Sequence, residues 1–253
     1  MIKFFETLRW RLLIPALLFS FSDAAAAGIA TPFEAAYTVY IDGKPRMESV
    51  MKLVKDGNVW LLSNTGKGTK GLAKLLGASS EERSIGRIEN DQFRTLEYSQ
   101  HTKIMAKDTQ WSAKIDPDGL EVSTVHKDGE GRYKYLAGAV DPLSLTIALR
   151  SSLTQGLSQF VMHVIDENEM DHHKFQAGKL EDLQTALGCF KSVKVTRVRE
   201  NSSRYSSGWY AKDLNYLPVK LLHGKEGGRE FEMRITQLRI DGQDIAGIAT
   251  CSS

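Results

Sequence analysis

A chain of 253 residues in which 42% are hydrophobic and 25% charged is long enough to bury a sizeable core. Its 33 basic and 31 acidic side chains leave a formal charge of +2, a balance that excludes long-range steering toward nucleic acid. With no Pro/Ser-rich linker, internal repeat or low-complexity block, everything after residue 27 reads as one domain, residues 28–253.

The first 27 residues read as a secretory signal. Lys3, Arg9 and Arg11 form a basic n-region, Leu12 to Phe21 is a short apolar run broken by Pro15, and Ala24 to Ala27 supply the small residues of an A-x-A site. The apolar run is roughly half of the ~20 residues that cross a bilayer as a helix. Cleavage is expected near Ala26 or Ala27, and the mature chain in the periplasm. Removing the segment leaves 30 basic and 29 acidic residues, close to neutrality.

From Phe33 onward, alternation dominates. Phe33, Ala35, Tyr37, Val39 and Ile41 share one face of a first strand, Asp42-Gly43-Lys44-Pro45 turns, and Met47, Met51 and Leu53 suit a second strand. Asp56-Gly57 leads into Asn58 to Thr65. Further strands are predicted over 84–89, 93–101, 109–115, 120–126, 159–166, 172–177, 190–199, 205–212, 217–223 and 230–240. The turns between them are short (Asp116-Pro117-Asp118-Gly119, Asp128-Gly129, Gly227-Gly228), which suits antiparallel meanders. About a dozen strands in one domain must curl rather than stay flat. In the last strand Phe231, Met233 and Ile235 share one parity and Leu238 and Ile240 the other, so a bulge is expected near Thr236 and Gln237.

Helix is sparse. Asp141-Pro142 places a cap and an N1 proline before LSLTIALRSSL, with Leu143, Ile147 and Arg150 on one stripe and Leu145, Leu149 and Leu153 beside it. LAKLL, Leu72 to Leu76, is a shorter candidate ended by Gly77. In GWYAKDLNYLPVKLL, Asp213-Leu214-Asn215 turns between two strands, and Pro218, lacking a ladder donor, belongs at an edge, a bulge or a strand start. That hairpin is expected to rim an open curved sheet. The fold class is therefore mainly β: a strongly curved antiparallel sheet, half-barrel or open barrel, with one main helix packed in the concavity.

Five segments occur in the order and spacing of the exported bacterial proteins called the domain-of-unknown-function 3108 family: GIATPFEAAYTVYIDGKPRME, SSEERSIGRIE, VDPLSLTIALR, LQTALGCFKSVKVTRVRE and WYAKDLNYLPVKLLH. The chain resembles that family over nearly its whole mature length. The resemblance brings no catalytic residue, cofactor or metal; it implies an ion pair between Glu81-Glu82 and Arg83. The Trp, turn, Leu-Pro signature is also similar, at fold level, to periplasmic lipoprotein carriers, whose half-barrels hold acyl chains under a helical lid.

Each chemical motif competes with a plainer reading. GKGTKG, Gly66 to Gly71, matches G-x-G-x-x-G, with Glu89 at the distance of a ribose acceptor, but only about five helical residues follow where a dinucleotide site needs a full helix and a parallel strand. Lys67, Lys70 and Lys74 beside Leu72, Leu75 and Leu76 could touch anionic lipid, although apolar residues at helical spacing are most often core. His172 and His173 sit among acidic residues, yet adjacent residues of a strand point to opposite faces and cannot easily share one ion. No G-x-S-x-G elbow appears, and no Cys is placed for activation by a nearby His. Trp60, Trp111, Tyr133 and Tyr135 could line a sugar or lipid site, and equally a core. Cys189 and Cys251 leave open a bridge or two free thiols, and export favours the bridge.

The expectation is non-enzymatic binding of an apolar or lipid-like ligand or an envelope partner, with Leu72, Leu75 and Leu76 as lid and Trp60 and Trp209 at the rim. Peripheral membrane contact is compatible with it. A fully packed structural module is the rival, and an envelope hydrolase a distant third. An apolar cavity beside the Asp141 helix separates the first two, and a convergent titratable cluster in a cleft marks the third.

Overall fold

The computed structural model describes residues 31–89 and 92–251. The signal-peptide reading over residues 1–27 lies outside them. Fifteen strands form one antiparallel sheet: β1 (Phe33–Ile41), β2 (Lys44–Asp56), β3 (Val59–Gly68), β4 (Ser79–Glu89), β5 (Gln92–Ile104), β6 (Lys107–Ile115), β7 (Glu121–His126), β8 (Gly129–Lys134), β9 (Gln159–Ile165), β10 (Met170–Thr185), β11 (Gly188–Val198), β12 (Arg204–Ala211), β13 (Leu217–Lys225), β14 (Glu230–Ile240) and the two-residue β15 (Gln243–Asp244). Helix α1 spans Gly71–Leu75 and α2 Leu145–Thr154.

The strand order is β8 through β1 in descending sequence, then β14 descending to β9, so sequential hairpins build two meanders and the β1–β14 pair welds them. The chain between β8 and β9, residues 135–158, must therefore travel from one end of the sheet to the other, and it carries α2. The sheet is not closed, because β8 and β9 do not pair. Their region is laced instead. Thr124 Oγ1 donates to the Glu167 carbonyl and Tyr133 Oη to the Asp166 carbonyl, each at 2.6 Å, while Val140 forms an isolated parallel bridge with Val164.

Bulges supply the bends. Ala36 faces Gln237 and Tyr37 faces Ile235, so Thr236 is the extra residue that re-aims the second half of β14, as its change of parity predicted. The 205–223 hairpin, expected at the rim, lies inside the sheet, since β13 pairs with both β12 and β14. Pro218 is tolerated there at a bulge: Trp209 faces Lys220 and Tyr210 faces Pro218, leaving Val219 over. The Pro218 carbonyl accepts a 2.8 Å bond from the buried Tyr37 hydroxyl. Strand β8 escaped sequence reading because GEGRYK has two glycines and no apolar alternation.

Two apolar clusters share the helix. Leu143 and Ile147 join the larger one, with Phe33, Ala35, Tyr37, Met51, Leu53, Trp60 and Leu62; Leu149 and Leu153 join Phe175, Val195 and Tyr210 in the second. The two stripes read from the sequence thus meet different clusters. Cys189 and Cys251, 62 residues apart, are joined by a disulfide with α-carbons 5.0 Å apart, and Cys189 also forms an isolated bridge with Ile248. The C-terminal tail is thereby pinned to the start of β11.

Candidate functional site: an apolar cavity with a cationic end

Asp141 sets the position of α2. Pro142 to Ser144 form a turn before the helix proper, and the fully buried Asp141 carboxylate accepts from the backbone N–H groups of Leu143 and Ser144, both at 2.9 Å. Its second oxygen accepts from the hydroxyls of Ser84 (2.5 Å), Thr95 (2.9 Å) and Ser144 (2.6 Å), which tie the turn to β4 and β5. A buried carboxylate is tolerable only with such donors. Farther along, Arg150 is 2% exposed, its guanidinium lies over the Phe33 ring, and its Nε donates to the Asn215 carbonyl at 3.0 Å. Burial lowers its pKa to about 10, although Tyr37 and Tyr210 oppose the shift. Asn215 and Tyr216 both have left-handed backbone (φ 49° and 56°), so Arg150 holds the tight turn of the DLNY segment.

Beside α2 lies a cavity of about 310 Å³, at the small end of ligand sites. Pro142, Leu145, Thr146 and Leu149 form the helix wall, and Phe175, Val195, Tyr210, Leu221, Phe231 and Met233 come from five strands. One end is cationic. Along β11, Val195 and Arg197 share a parity that Arg199 continues just past the strand, so the lining passes from apolar to guanidinium over roughly 13 Å. His173 and His223 line the same end.

The cationic groups outnumber their counter-charges. Asp171 accepts from His173 Nε2 at 3.2 Å and lies 3.9 Å from Arg197 Nη2, whereas among the described residues no carboxylate lies within ion-pair distance of Arg199. Arg199 Nη2 donates to Ser206 Oγ at 3.3 Å, and Ser206 Oγ lies 3.0 Å from His223 Nδ1. Arg199 Nη1 and His173 Nδ1 are buried without a hydrogen-bond partner. Desolvation, followed by the charge of Arg199, lowers the Arg197 pKa to about 10. His173 and His223 are likewise pushed below the ordinary histidine value, first by burial and then by neighbouring arginines.

The Ser206–His223 contact invites a hydrolytic reading that sequence spacing did not reveal. A general base must become an imidazolium as it takes the proton, and Arg199, Arg204 and Arg197 disfavour that charge on His223. Ser206 also already accepts from a guanidinium. The arrangement favours holding an anion over activating a hydroxyl.

The residues expected at lid and rim lie elsewhere. Leu72 and Leu75 are 66% and 79% exposed on α1, and Leu76 is half-buried; α1 packs beside β2 and β3 and takes no part in this cavity's wall. The reason is topological, because α1 is a detour at the end of the β3–β4 hairpin, in the meander opposite the cavity. Trp60 is 1% exposed in the larger cluster, tilted against Phe93, and packs over Gly86, where a Cβ would strike its ring. Trp209 is 8% exposed; its Nε1 donates to Glu181 at 2.6 Å, and Lys194 and Lys220 stand 5.0 and 4.5 Å from its ring centroid. Neither tryptophan lines the cavity.

Other candidates resolve as structure. Trp111 donates to Gln100, Gln100 donates to Glu82, and Tyr98 and Asn64 complete a polar chain across β3 to β6. Glu82 therefore points away from Arg83, while Glu81 shares the face of Arg83 without coming within ion-pair distance among the described residues, so the ion pair implied by resemblance does not form. Tyr133 laces the sheet edges and Tyr135 donates to the Ala139 carbonyl. His173 faces the cavity, while His172 faces away against His163, with Nδ1 atoms 2.8 Å apart. Among the described residues no group of three or more metal-ligating side chains converges. Gly66 and Gly68 lie in β3, antiparallel to its neighbours, and Glu89 pairs with Arg94 at the other end of β4, so the glycine match makes no nucleotide site. The arginines were missed, though VKVTRVRE carried a signal: Arg197 and Arg199 continue the parity of the half-buried Val193 and the buried Val195.

The described residues thus form an open antiparallel sheet with a helix-walled cavity, apolar at one end and cationic at the other. Residues 36–234 match the family described as "Protein of unknown function (DUF3108)", and the chain belongs to it. No curated protein sequence matches the chain. Among solved structures, it is similar to a β-barrel-like protein of domain of unknown function DUF1849 from Brucella abortus, with TM-score 0.56 and 9% identity over 85% of this chain and 99% of that one. A protein of YmcC-like fold from Bacteroides fragilis aligns with TM-score 0.32 and 9% identity over 82% and 95% of the two chains.

Proposed function

We propose that this protein is exported and binds an apolar, lipid-like ligand without transforming it. The observation that carries the reading is the cavity beside α2, whose helix wall and strand walls are largely Leu, Val, Phe, Tyr and Met. In this reading α2 lies in the concavity of the sheet, held at its N-terminus by Asp141, and its Leu145 and Leu149 flank an acyl chain. Export rests on the basic n-region, short apolar run and small-residue site at the N-terminus. Uptake of a fluorescent fatty acid tests it. The wild type should take up the probe, and Leu221→Trp, which fills the space from a half-buried position, should abolish uptake with little change in melting temperature. If the wild type takes up none, a fully packed structural module replaces the binding reading.

A second reading, peripheral contact with an anionic membrane, is supported by one apolar tip. The Met105 N–H donates to the Leu76 carbonyl at 3.1 Å, which joins α1 to the β5–β6 turn and groups the exposed Leu72, Leu75, Ile104 and Met105. Lys67, Lys70, Lys74, Lys103 and Lys107 are interspersed with them in sequence.

A further inference from the structure

We infer that the ligand is an anionic amphiphile, and that Arg197 and Arg199 form a subsite for its acidic headgroup. This inference rests on the apolar-ligand reading and deepens it by naming the chemistry of the polar end. Three features of the cavity point to an anion. The guanidinium of Arg199 has a buried Nη1 without a partner and no carboxylate in ion-pair range among the described residues, although the group bears a full charge. Arg197 stands beside it, with Arg204 also close enough to influence Arg199, and the nearest compensation is Asp171, itself shared with His173. His173 Nδ1 is a further buried atom without a partner at the same end. Clustered, partly desolvated cations of this kind repel one another, and a bound anion relieves that repulsion while accepting the unused N–H bonds. The depressed arginine pKa values agree with this crowding.

The order of residues along β11 and its end assigns the ligand's polarity. Val193 and Val195 lie toward Tyr210 and α2, whereas Arg199 reaches Ser206 near the start of β12. A chain lying against Val195, Phe175 and Leu149 would thus present its head to Arg197 and Arg199. A guanidinium fork suits a carboxylate or a phosphate monoester equally in geometry. A free small anion would use the fork and leave the apolar wall unused.

Calorimetric titration with dodecanoate, dodecyl phosphate, 1-dodecanol and inorganic phosphate, at low and moderate salt, tests the assignment. Dodecanoate or dodecyl phosphate should bind at least tenfold tighter than dodecanol, and salt should narrow the gap. Arg197→Gln with Arg199→Gln should remove the gap while leaving dodecanol affinity unchanged, which also verifies folding; Arg199→Lys should keep part of it. Equal affinity of wild type for acid and alcohol would overturn the headgroup subsite and leave the apolar reading standing. Inorganic phosphate binding as tightly as dodecyl phosphate would overturn the amphiphile, and a gap that survives the double substitution would overturn the role of these arginines. If neither dodecanoate nor dodecanol binds, the cavity reading falls together with this one.

Discussion

Asp141 shows how much one side chain can organise. Its carboxylate takes two backbone N–H groups and three hydroxyls from two strands and the helix turn, all buried. Asp141→Ala removes the acceptor that holds the turn before α2 and strands several buried donors, so a loss of about 3–5 kcal/mol is expected in urea unfolding; a loss under 1 kcal/mol would show that the hub is dispensable. His173 and His223 make a separate prediction about acid. Their folded pKa values lie below the unfolded 6.5, because burial and then Arg197 (for His173) or Arg199, Arg204 and Arg197 (for His223) disfavour the charged ring, with Asp171 opposing at His173. The unfolded chain therefore binds protons first as pH falls. The stability these residues contribute is fully present above about 6.5 and is lost below it. Between pH 7.5 and 5.5 the urea midpoint of the wild type should fall more steeply than that of His173→Gln with His223→Gln, and parallel slopes would refute the assignment.

At the scale of elements, α1 and α2 are both short helices inserted between strands, but they differ in what covers them. Helix α2 buries residues on both of its stripes, including Ile147, Leu149 and Leu153, whereas α1 buries none. The exposed leucines of α1 consequently contribute little to the fold, and substituting them should alter surface behaviour rather than stability. Leu72→Asp with Leu75→Asp should leave the melting temperature within a few degrees of wild type. The same variant should lose cosedimentation with vesicles containing phosphatidylglycerol, if the tip touches anionic lipid. Wild-type protein that fails to sediment with such vesicles would dispose of the membrane-contact reading. Loss of stability as large as that from a buried leucine, about 2–5 kcal/mol, would instead place α1 in the core.

At the scale of the molecule, the weak place is the region where β8 and β9 approach without pairing. Only side-chain bonds from Thr124 and Tyr133 and the Val140–Val164 bridge lace it among the described contacts. Backbone groups on unpaired edges open more readily than those inside a ladder. Replacing Thr124 with Val and Tyr133 with Phe should raise amide hydrogen exchange in β7, β8 and the β9–β10 turn, and leave β1 and β14 at the centre protected. Uniform acceleration across all strands would mean that this lacing supports global stability.

Much of this architecture was legible in the sequence because its signals are local. Period-two alternation from Phe33 to Ile41 follows from strand geometry alone, the parity change around Thr236 announces a bulge, and Asp141-Pro142 announces the turn into a helix that begins only at Leu145, with Ser144 and not Asp141 at its N-cap. Sequence reading placed nothing, by contrast, that depends on which distant strands become neighbours. It put Leu72, Leu75, Leu76, Trp60 and Trp209 around one opening, whereas α1 lies in one meander, Trp209 in the other, and Trp60 within the core. It set the 205–223 hairpin at a rim, but the β13–β14 ladder buries it inside the sheet. The cationic end of the cavity is the clearest case. Arg197 and Arg199 on β11 and the turn after it, His173 on β10, Ser206 on β12 and His223 on β13 are separated by up to 50 residues. Their approach is determined by ladder register and sheet curvature, properties of the assembled sheet that no local pattern encodes.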